Sequence, residues 1–319
     1  MRAFVLGNYM HACFMHVDRL PCAGESLAAR RVDWEHGGKG LNIGLGLHRL
    51  GAEVHMIMAV GADLPGAAVC QALVAEGMSD AHFLTLGGAS GFGVGFVTPE
   101  GANFLATHLG ANALLEVAHL GQAEGCLSRA DWLLAHFEMP DALVRHAFRL
   151  ARAKGLSTYL NPSPWRDVDR ALLDMTDLLV VNASEASMLF GDRTVLNWSR
   201  ADWCSHLPRL AAGIGWRGRA LVVTLAEEGC VALDAAGVID VAAFSVTQVD
   251  ATGAGDAFGC GLVHALARGE PLTQALRFAN DSSFGLASYL FTKDLSRAFS
   301  IGEQLEFGMV GINRGIMAD

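Results

Sequence analysis

No apolar run in this 319-residue sequence approaches the roughly 18–20 residues that a membrane-spanning helix needs, so no membrane role is expected. The first residues, MRAFVLGNYMHACF, contain one arginine and a short apolar stretch that reads as a strand. They lack the longer apolar core and cleavage region of a signal peptide. The seven cysteines, at positions 13, 22, 70, 126, 204, 230 and 260, are scattered, odd in number and free of any C-x-x-C. Free thiols in a reducing compartment account for them better than disulfides or a zinc site. Basic residues are the minority, 23 against 33 acidic ones, and the formal charge of −10 argues against nucleic-acid and membrane-surface partners. It leaves room for a local pocket that holds a small anion. With 18% charged and 52% hydrophobic residues the chain is too apolar for disorder and long enough for a large core. A soluble, cytoplasmic, globular protein is expected.

Several catalytic signatures are also missing. There is no G-x-x-x-x-G-K-[ST], no G-x-G-x-x-G after the first strand, no H-E-x-x-H and no G-x-S-x-G. The 12 histidines show no ligand spacing, and His11, His16, His36, His108 and His136 read as packing or surface residues. These absences disfavour P-loop, dinucleotide-binding, metalloprotease and α/β-hydrolase chemistry.

The chain instead alternates short apolar runs with helical patterns. Strands are expected at 2–7, 53–61, 132–137, 156–160, 177–181 and 219–225, and helices at 40–50, 65–77, 141–154 and from about Ala183. Such alternation predicts an α/β fold, a doubly wound, mostly parallel sheet with helices on both faces. A hairpin at 229–243, turning at Asp234-Ala-Ala-Gly237, closes the sheet. Residues 13–34 and 82–108 break the rhythm, the second reading as a hairpin with Pro99-Glu100-Gly101 at its turn. Two strand-rich insertions can pair into a small β lid over the edge where open α/β sheets bind ligands, or remain unrelated surface hairpins. The lid reading assigns 1–12, 35–81 and 109–319 to the α/β domain and 13–34 and 82–108 to a discontinuous lid.

Two glycine-rich segments open helices. In Val249-Asp-Ala-Thr-Gly-Ala-Gly-Asp-Ala-Phe258 the Gly253-Ala254-Gly255 entry leaves backbone N–H groups uncovered at the positive end of a helix, an anion site. Asp256 is there either as favourable first-turn charge or as a general base beside a phosphate cradle. In Glu35-His-Gly-Gly-Lys-Gly-Leu-Asn-Ile-Gly44 the glycines let backbone approach a ligand, and Asn42 offers an amide from the first helical turn or caps it locally.

Together and in this order the segments resemble the ribokinase-like (PfkB) family of carbohydrate and nucleoside kinases, the ribokinase branch above all. Gly37-Gly38-Lys39-Gly40-x-Asn42, followed by Gly51 and Gly61, resembles the N-terminal signature. Asp250-x-Thr252-Gly253-Ala254-Gly255-Asp256 resembles the C-terminal one. Gly110-Ala111-Asn112, Asn161-Pro162-Ser163-Pro164, Asn182-x-x-Glu185 and Thr224-x-x-x-x-Gly229 fall between them in family order. The resemblance implies transfer of the γ-phosphoryl group of ATP to a hydroxyl, usually a primary alcohol of a sugar. It implies that Asp256 is the base and that Gly253, Ala254 and Gly255 form the anion hole. By the same resemblance Asn182 and Glu185 organise magnesium, largely through water. Asn182, Thr224, Gly229, Gly253, Gly255 and Asn280 hold the nucleotide. Gly38, Asn42 and Glu138, with Asp256, contact the substrate, and the lid serves as the interface of a homodimer.

The sequence also departs from the family. Members often carry an Asn and an Asp just after the first strand to grip two sugar hydroxyls; those positions here are Met10 and Ala12. Losing both contacts disfavours ribose at about 1–3 kcal/mol per unmade buried contact. A nucleoside with its base facing Met10 is the alternative substrate, and a non-catalytic sugar or nucleotide sensor is the alternative function. Ala226 and Ala251 replace residues more usual in the signatures. Asp250 and Thr252 suggest a monovalent cation, K+, yet SYLFTKDLSRAFS (288–300) lacks the glycine usual in the cation-binding loop.

Overall fold

The computed structural model describes residues 1–98, 103–244 and 253–280, with two short strands at 288–290 and 310–312. The chain begins with β1 (Arg2–Leu6), β2 (Met10–His16), β3 (Arg31–Gly37), α1 (Lys39–Arg49), β4 (Glu53–Val60) and α2 (Leu64–Ala75). It continues through β5 (Phe83–Thr85), β6 (Gly91–Val97), β7 (Asn103–His108), α3 (Val117–Leu127), β8 (Trp132–His136), α4 (Asp141–Lys154) and β9 (Ser157–Asn161). Then follow α5 (Arg170–Asp174), β10 (Leu178–Asn182), α6 (Ala183–Phe190), α7 (Arg200–Gly213) and β11 (Ala220–Thr224). Next come β12 (Cys230–Asp234), β13 (Gly237–Val241), α8 (Ala254–Ala267) and α9 (Leu272–Asn280). Beyond them β14 (Ser288–Leu290) and β15 (Val310–Ile312) pair in parallel.

Nine strands form the main sheet in the order β13-β12-β11-β10-β9-β8-β1-β4-β5. From β11 to β5 neighbours are parallel, and β12 and β13 add an antiparallel hairpin at one edge, as the Asp234–Gly237 turn predicts. Helices cover both faces, so the parallel strands are apolar on both sides and read as unbroken hydrophobic runs. Ala3 and Val5 of β1 face one core with α1, α2, α8 and α9, while Phe4 and Leu6 face the other with α3, α4 and α7. α4 shows how a helix earns its place: Leu143, Val144, Ala147, Phe148 and Ala151 form its buried stripe, and Gly155 ends it in left-handed conformation. Each fully buried Leu or Phe of this kind contributes roughly 1.5–3 kcal/mol.

Four further strands form a smaller sheet, β3-β2-β6-β7, in which the two insertions pair through the parallel β2–β6 ladder. Its limits differ from those the sequence suggests. β2 already starts at Met10 and β3 runs on to Gly37, so the lid is wider than 13–34. Phe83–Thr85, by contrast, pairs with β4 as the outermost strand of the main sheet, and the second lid segment starts at Gly91. The reason is backbone pairing: the polar groups of Met58–Val60 need a partner on the open side of β4, and Phe83-Leu84-Thr85 supplies it. The Pro99–Gly101 turn lies outside the described residues.

Strand order reverses at β1, which has β4 on one side and β8 on the other, so a crevice opens beyond the carboxyl ends of β1 and β8. His136 clips those two ends together. Its Nε2–H donates to the Leu6 carbonyl at 2.9 Å, and its Nδ1 accepts the Glu138 N–H at 3.1 Å, which defines a neutral tautomer. Burial, and then the charge of Lys39, lower its pKa from 6.5 to about 3.

Unfolded, this ring takes up a proton below 6.5; folded, it refuses one until about 3. The stability it confers is therefore complete above the unfolded pKa and is lost as pH falls toward the folded one, with a slope of at most about 1.4 kcal/mol per pH unit. Urea denaturation at about pH 7 and pH 5 should show the wild type losing stability with acidification, and His136→Gln, whatever its absolute stability, losing distinctly less over the same interval.

Candidate active site

The crevice is built first by the entry into α1. Gly38, immediately before the helix, has φ 116°, and a Cβ there would lie 2.6 Å from the Asn8 carbonyl oxygen. At Gly40 a Cβ would lie 2.6 Å from the Asn8 nitrogen and from His136 Nε2, so the helix start rests directly on the ends of β1 and β8. Asn8, with no exposed surface, completes the joint: its Oδ1 accepts the Gly40 N–H at 2.8 Å and its Nδ2 donates to Glu138 Oε2 at 2.7 Å. The Lys39 N–H donates to that same oxygen at 3.0 Å. Glu138 thus satisfies a free amide at the positive end of α1, where a carboxylate is stabilised.

The second wall is the start of α8. Gly253 is its N-cap, with φ 76° and no capping side chain, and Asp256 lies in its first turn. Asp256 is only 5% exposed, and Asn42 Nδ2 donates to its Oδ2 at 2.9 Å. Lys39 Nζ stands 3.4 Å from its Oδ1. Neither Asn42 nor Asp256 is spent on capping its own helix; their side chains meet across the crevice. Burial works against the charge of Lys39, but Asp256, then Glu138 and Glu185, more than offset it and hold its pKa above the ordinary lysine value. A buried carboxylate beside a charged ammonium and an uncapped helix N-terminus can accept a proton next to a bound anion.

A second group lines the carboxyl ends of β9, β10 and β11. Asn182 and Glu185 form a reciprocal cap on α6: Asn182 Oδ1 accepts the Glu185 N–H at 2.8 Å and Glu185 Oε2 accepts the Asn182 N–H at 3.0 Å. Asn161 Nδ2 donates to Val180 O at 3.0 Å and reaches that Glu185 oxygen at 3.4 Å. Thr224 ends β11, and Gly229 has φ 104° in the turn that follows, where a Cβ would lie 2.2 Å from the Val241 oxygen. Asn280 Nδ2 donates to Cys230 Sγ at 3.3 Å. Asp250 and Thr252 lie outside the described residues. Among the described residues no three His, Cys, Asp or Glu side chains cluster as a metal centre, and all seven cysteines are free. Sequence reasoning passed over Asn8 and treated His136 as packing. The available signal was position alone, since both lie at or just beyond the end of a central strand.

Comparison with known proteins agrees with this architecture. Residues 2–284 match the pfkB family carbohydrate kinase pattern, and residues 254–319 match that of the aldehyde dehydrogenase family. The overlap covers 254–284, after which the second match alone continues. The ribokinase of Bacillus subtilis is 28% identical over 276 residues, 86% of this chain and 89% of that protein. The ribokinase of Mus musculus is 31% identical over 258 residues, 80% of this chain and 78% of that one. Among solved structures, Arabidopsis thaliana ribokinase complexed with ribose and ATP superposes with a TM-score of 0.75 at 22% identity, covering 88% of this chain and 89% of that one. With a sheet, a lid and a crevice in the family's arrangement and a match through nearly the whole chain, this protein belongs to the pfkB family of carbohydrate kinases.

Proposed function

We propose that the protein transfers the γ-phosphoryl group of ATP to a hydroxyl, in the first instance a primary one, of a sugar or sugar-containing small molecule. The observation that carries this reading is Asp256: buried, held by Asn42 and Lys39, and mounted in the first turn of α8 beside its uncapped amides. Asp256 takes the proton of the substrate hydroxyl while that oxygen bonds to the γ-phosphorus and the bond from phosphorus to the bridging oxygen breaks, releasing ADP. The backbone N–H groups of Gly253, Ala254 and Gly255 stabilise charge on the transferring group. Gly38, Asn42 and Glu138 border the substrate, and Asn182, Thr224, Gly229 and Asn280 border the nucleotide.

Magnesium fits the donor set. Asn182 and Glu185 offer only oxygen, the ligand type it prefers, and their use of Asn182 Oδ1 and Glu185 Oε2 in the α6 cap favours holding the ion through water. Once bound, the ion would neutralise phosphate charge. Met10, apolar and buried at the start of β2, supports a nucleoside as the second reading.

A homodimer through the lid is supported by its outer face. Cross-strand register aligns Trp34 with Cys13, His36 with His11, and His11 with Phe92. On that side Val32 is 41% exposed, Trp34 47%, Phe92 38% and Phe104 54%, an apolar patch of the kind that subunit contacts cover. His11 stacks on Trp34 with centroids 4.8 Å apart, which stiffens it.

ADP release from Mg-ATP against a panel of pentoses, hexoses, amino sugars and nucleosides should be stimulated by one class and fall about a thousand-fold in Asp256→Asn. Full activity in that variant, or no stimulation by any compound, would overturn the proposal; the latter with binding retained would favour a sensor. Chelation with EDTA should abolish release and added MgCl2 restore it. Trp34→Glu should move the protein from dimer to monomer in sedimentation velocity.

A further inference from the structure

One carboxylate of the crevice is aimed by a residue to which the family resemblance gives no role. In the chain that leaves β8, Phe137 and Met139 are buried in the core, while Glu138 between them is only half-buried. Its Oε2 takes two donors, the Asn8 amide at 2.7 Å and the Lys39 N–H at 3.0 Å. A carboxylate oxygen has two lone pairs, so Oε2 is filled. Oε1 is the oxygen that remains, and among the described residues it takes no hydrogen bond. Burial apart, the Lys39 ammonium is held by Asp256 and then by Glu138, so this carboxylate lies beside the reacting groups.

Asn8 is the part of this contact that has no freedom. It has no exposed surface, and its amide is oriented from the far end: the Gly40 N–H donates to Oδ1 at 2.8 Å, which turns Nδ2 toward Glu138. The flipped amide would set N–H against N–H on one side and oxygen against carboxylate on the other. Sideways movement is blocked as well, since a Cβ on Gly38 would already lie 2.9 Å from Nδ2. The last torsion of a glutamate is otherwise broad, and its two oxygens exchange places readily. Here the buried amide decides which oxygen is spent and which is offered.

Resting on the substrate placement of the kinase reading above, we infer that Asn8 is a positioning residue of the substrate site: together with the Lys39 N–H it fills Oε2 of Glu138, so that Oε1 alone meets the substrate and accepts from one hydroxyl. A carboxylate with both oxygens free can grip a pair of neighbouring hydroxyls; this one takes a single donor. The substrate class is a polyol that offers Glu138 one hydroxyl, and an ether or carbonyl oxygen at that place is disfavoured because it has no proton to give. Through Gly40 the same amide keeps Oε1 in register with Asn42, whose side chain reaches Asp256 from the first turn of the same helix.

Steady-state ADP release by the full chain, with D-ribose, 2-deoxy-D-ribose and adenosine as probes, tests this through a cycle of variants. Asn8→Asp keeps the acceptor for Gly40 but turns an oxygen toward Glu138. It should raise KM for the active probe about ten- to hundred-fold and leave KM for ATP unchanged. Asn8→Ala, which removes the donor without adding charge, should shift KM the same way and serves if Asn8→Asp does not fold. Glu138→Ala should also raise KM for the probe, and adding either Asn8 change to it should cost little more, because a residue that acts through Glu138 then has nothing left to position. Unchanged probe KM in the Asn8 variants, or losses that multiply in the double variant, would overturn the inference and leave the kinase reading standing. Calorimetric titration of the same probes without ATP reads the same cycle free of phosphoryl transfer. A wild type that binds a probe yet releases no ADP counts against the kinase reading and not against Asn8; one that binds none of the three counts against both.

Discussion

Glu138 Oε2 accepts two hydrogen bonds, from the Lys39 backbone and from the Asn8 amide, while the other end of that amide holds Gly40. This junction ties the chain just beyond β1, the chain just beyond β8 and the first turn of α1 into one unit. Asn42 and Lys39 are carried by that turn, so the position of both groups touching Asp256 follows from it. A buried amide with both ends satisfied is stiff, because breaking either bond leaves a polar group stranded away from water. His136 adds the third tie, from Leu6 to Glu138, and its inability to charge keeps the joint from acquiring a second cation beside Lys39.

Much of the framework was legible because parallel strands buried on both faces leave an unmistakable mark. Runs such as Arg2–Leu6, Trp132–His136 and Ala220–Thr224 carry scarcely a polar residue, and the glycines at 51, 77, 155 and 269 follow the helices they end. The hairpin at the sheet edge was readable from its Asp-Ala-Ala-Gly turn. The lid limits were not, since nothing in Gly7-Asn8-Tyr9 signals that one strand has ended and another in a different sheet begins. The three-residue edge strand at Phe83 is too short for any periodicity to register.

The site was legible to a lesser degree. Asn42 and Asp256 are 214 positions apart, and no spacing rule links them; only resemblance to a family put them in one place. Asn8 was invisible, because an asparagine after a strand is an ordinary turn residue until the fold buries it against Glu138. Ladder pairings such as Ala12 with Glu35 were equally hidden, 23 positions of sequence becoming one rung. Toward the other end the family match stops at 284, so the sequence reading at 288–300 concerned residues that follow another family's pattern.

The lid has almost no connecting chain of its own. Three residues separate β1 from β2, and Gly38 alone separates β3 from α1. Asn112 further fastens the start of β2 by holding both the N–H and the carbonyl of Tyr9. The small sheet is therefore less a flap on a tether than the long arm of a lever whose fulcrum is the Asn8–Glu138 joint. A tilt of that arm would be passed directly to the turn that carries Lys39 and Asn42 against Asp256.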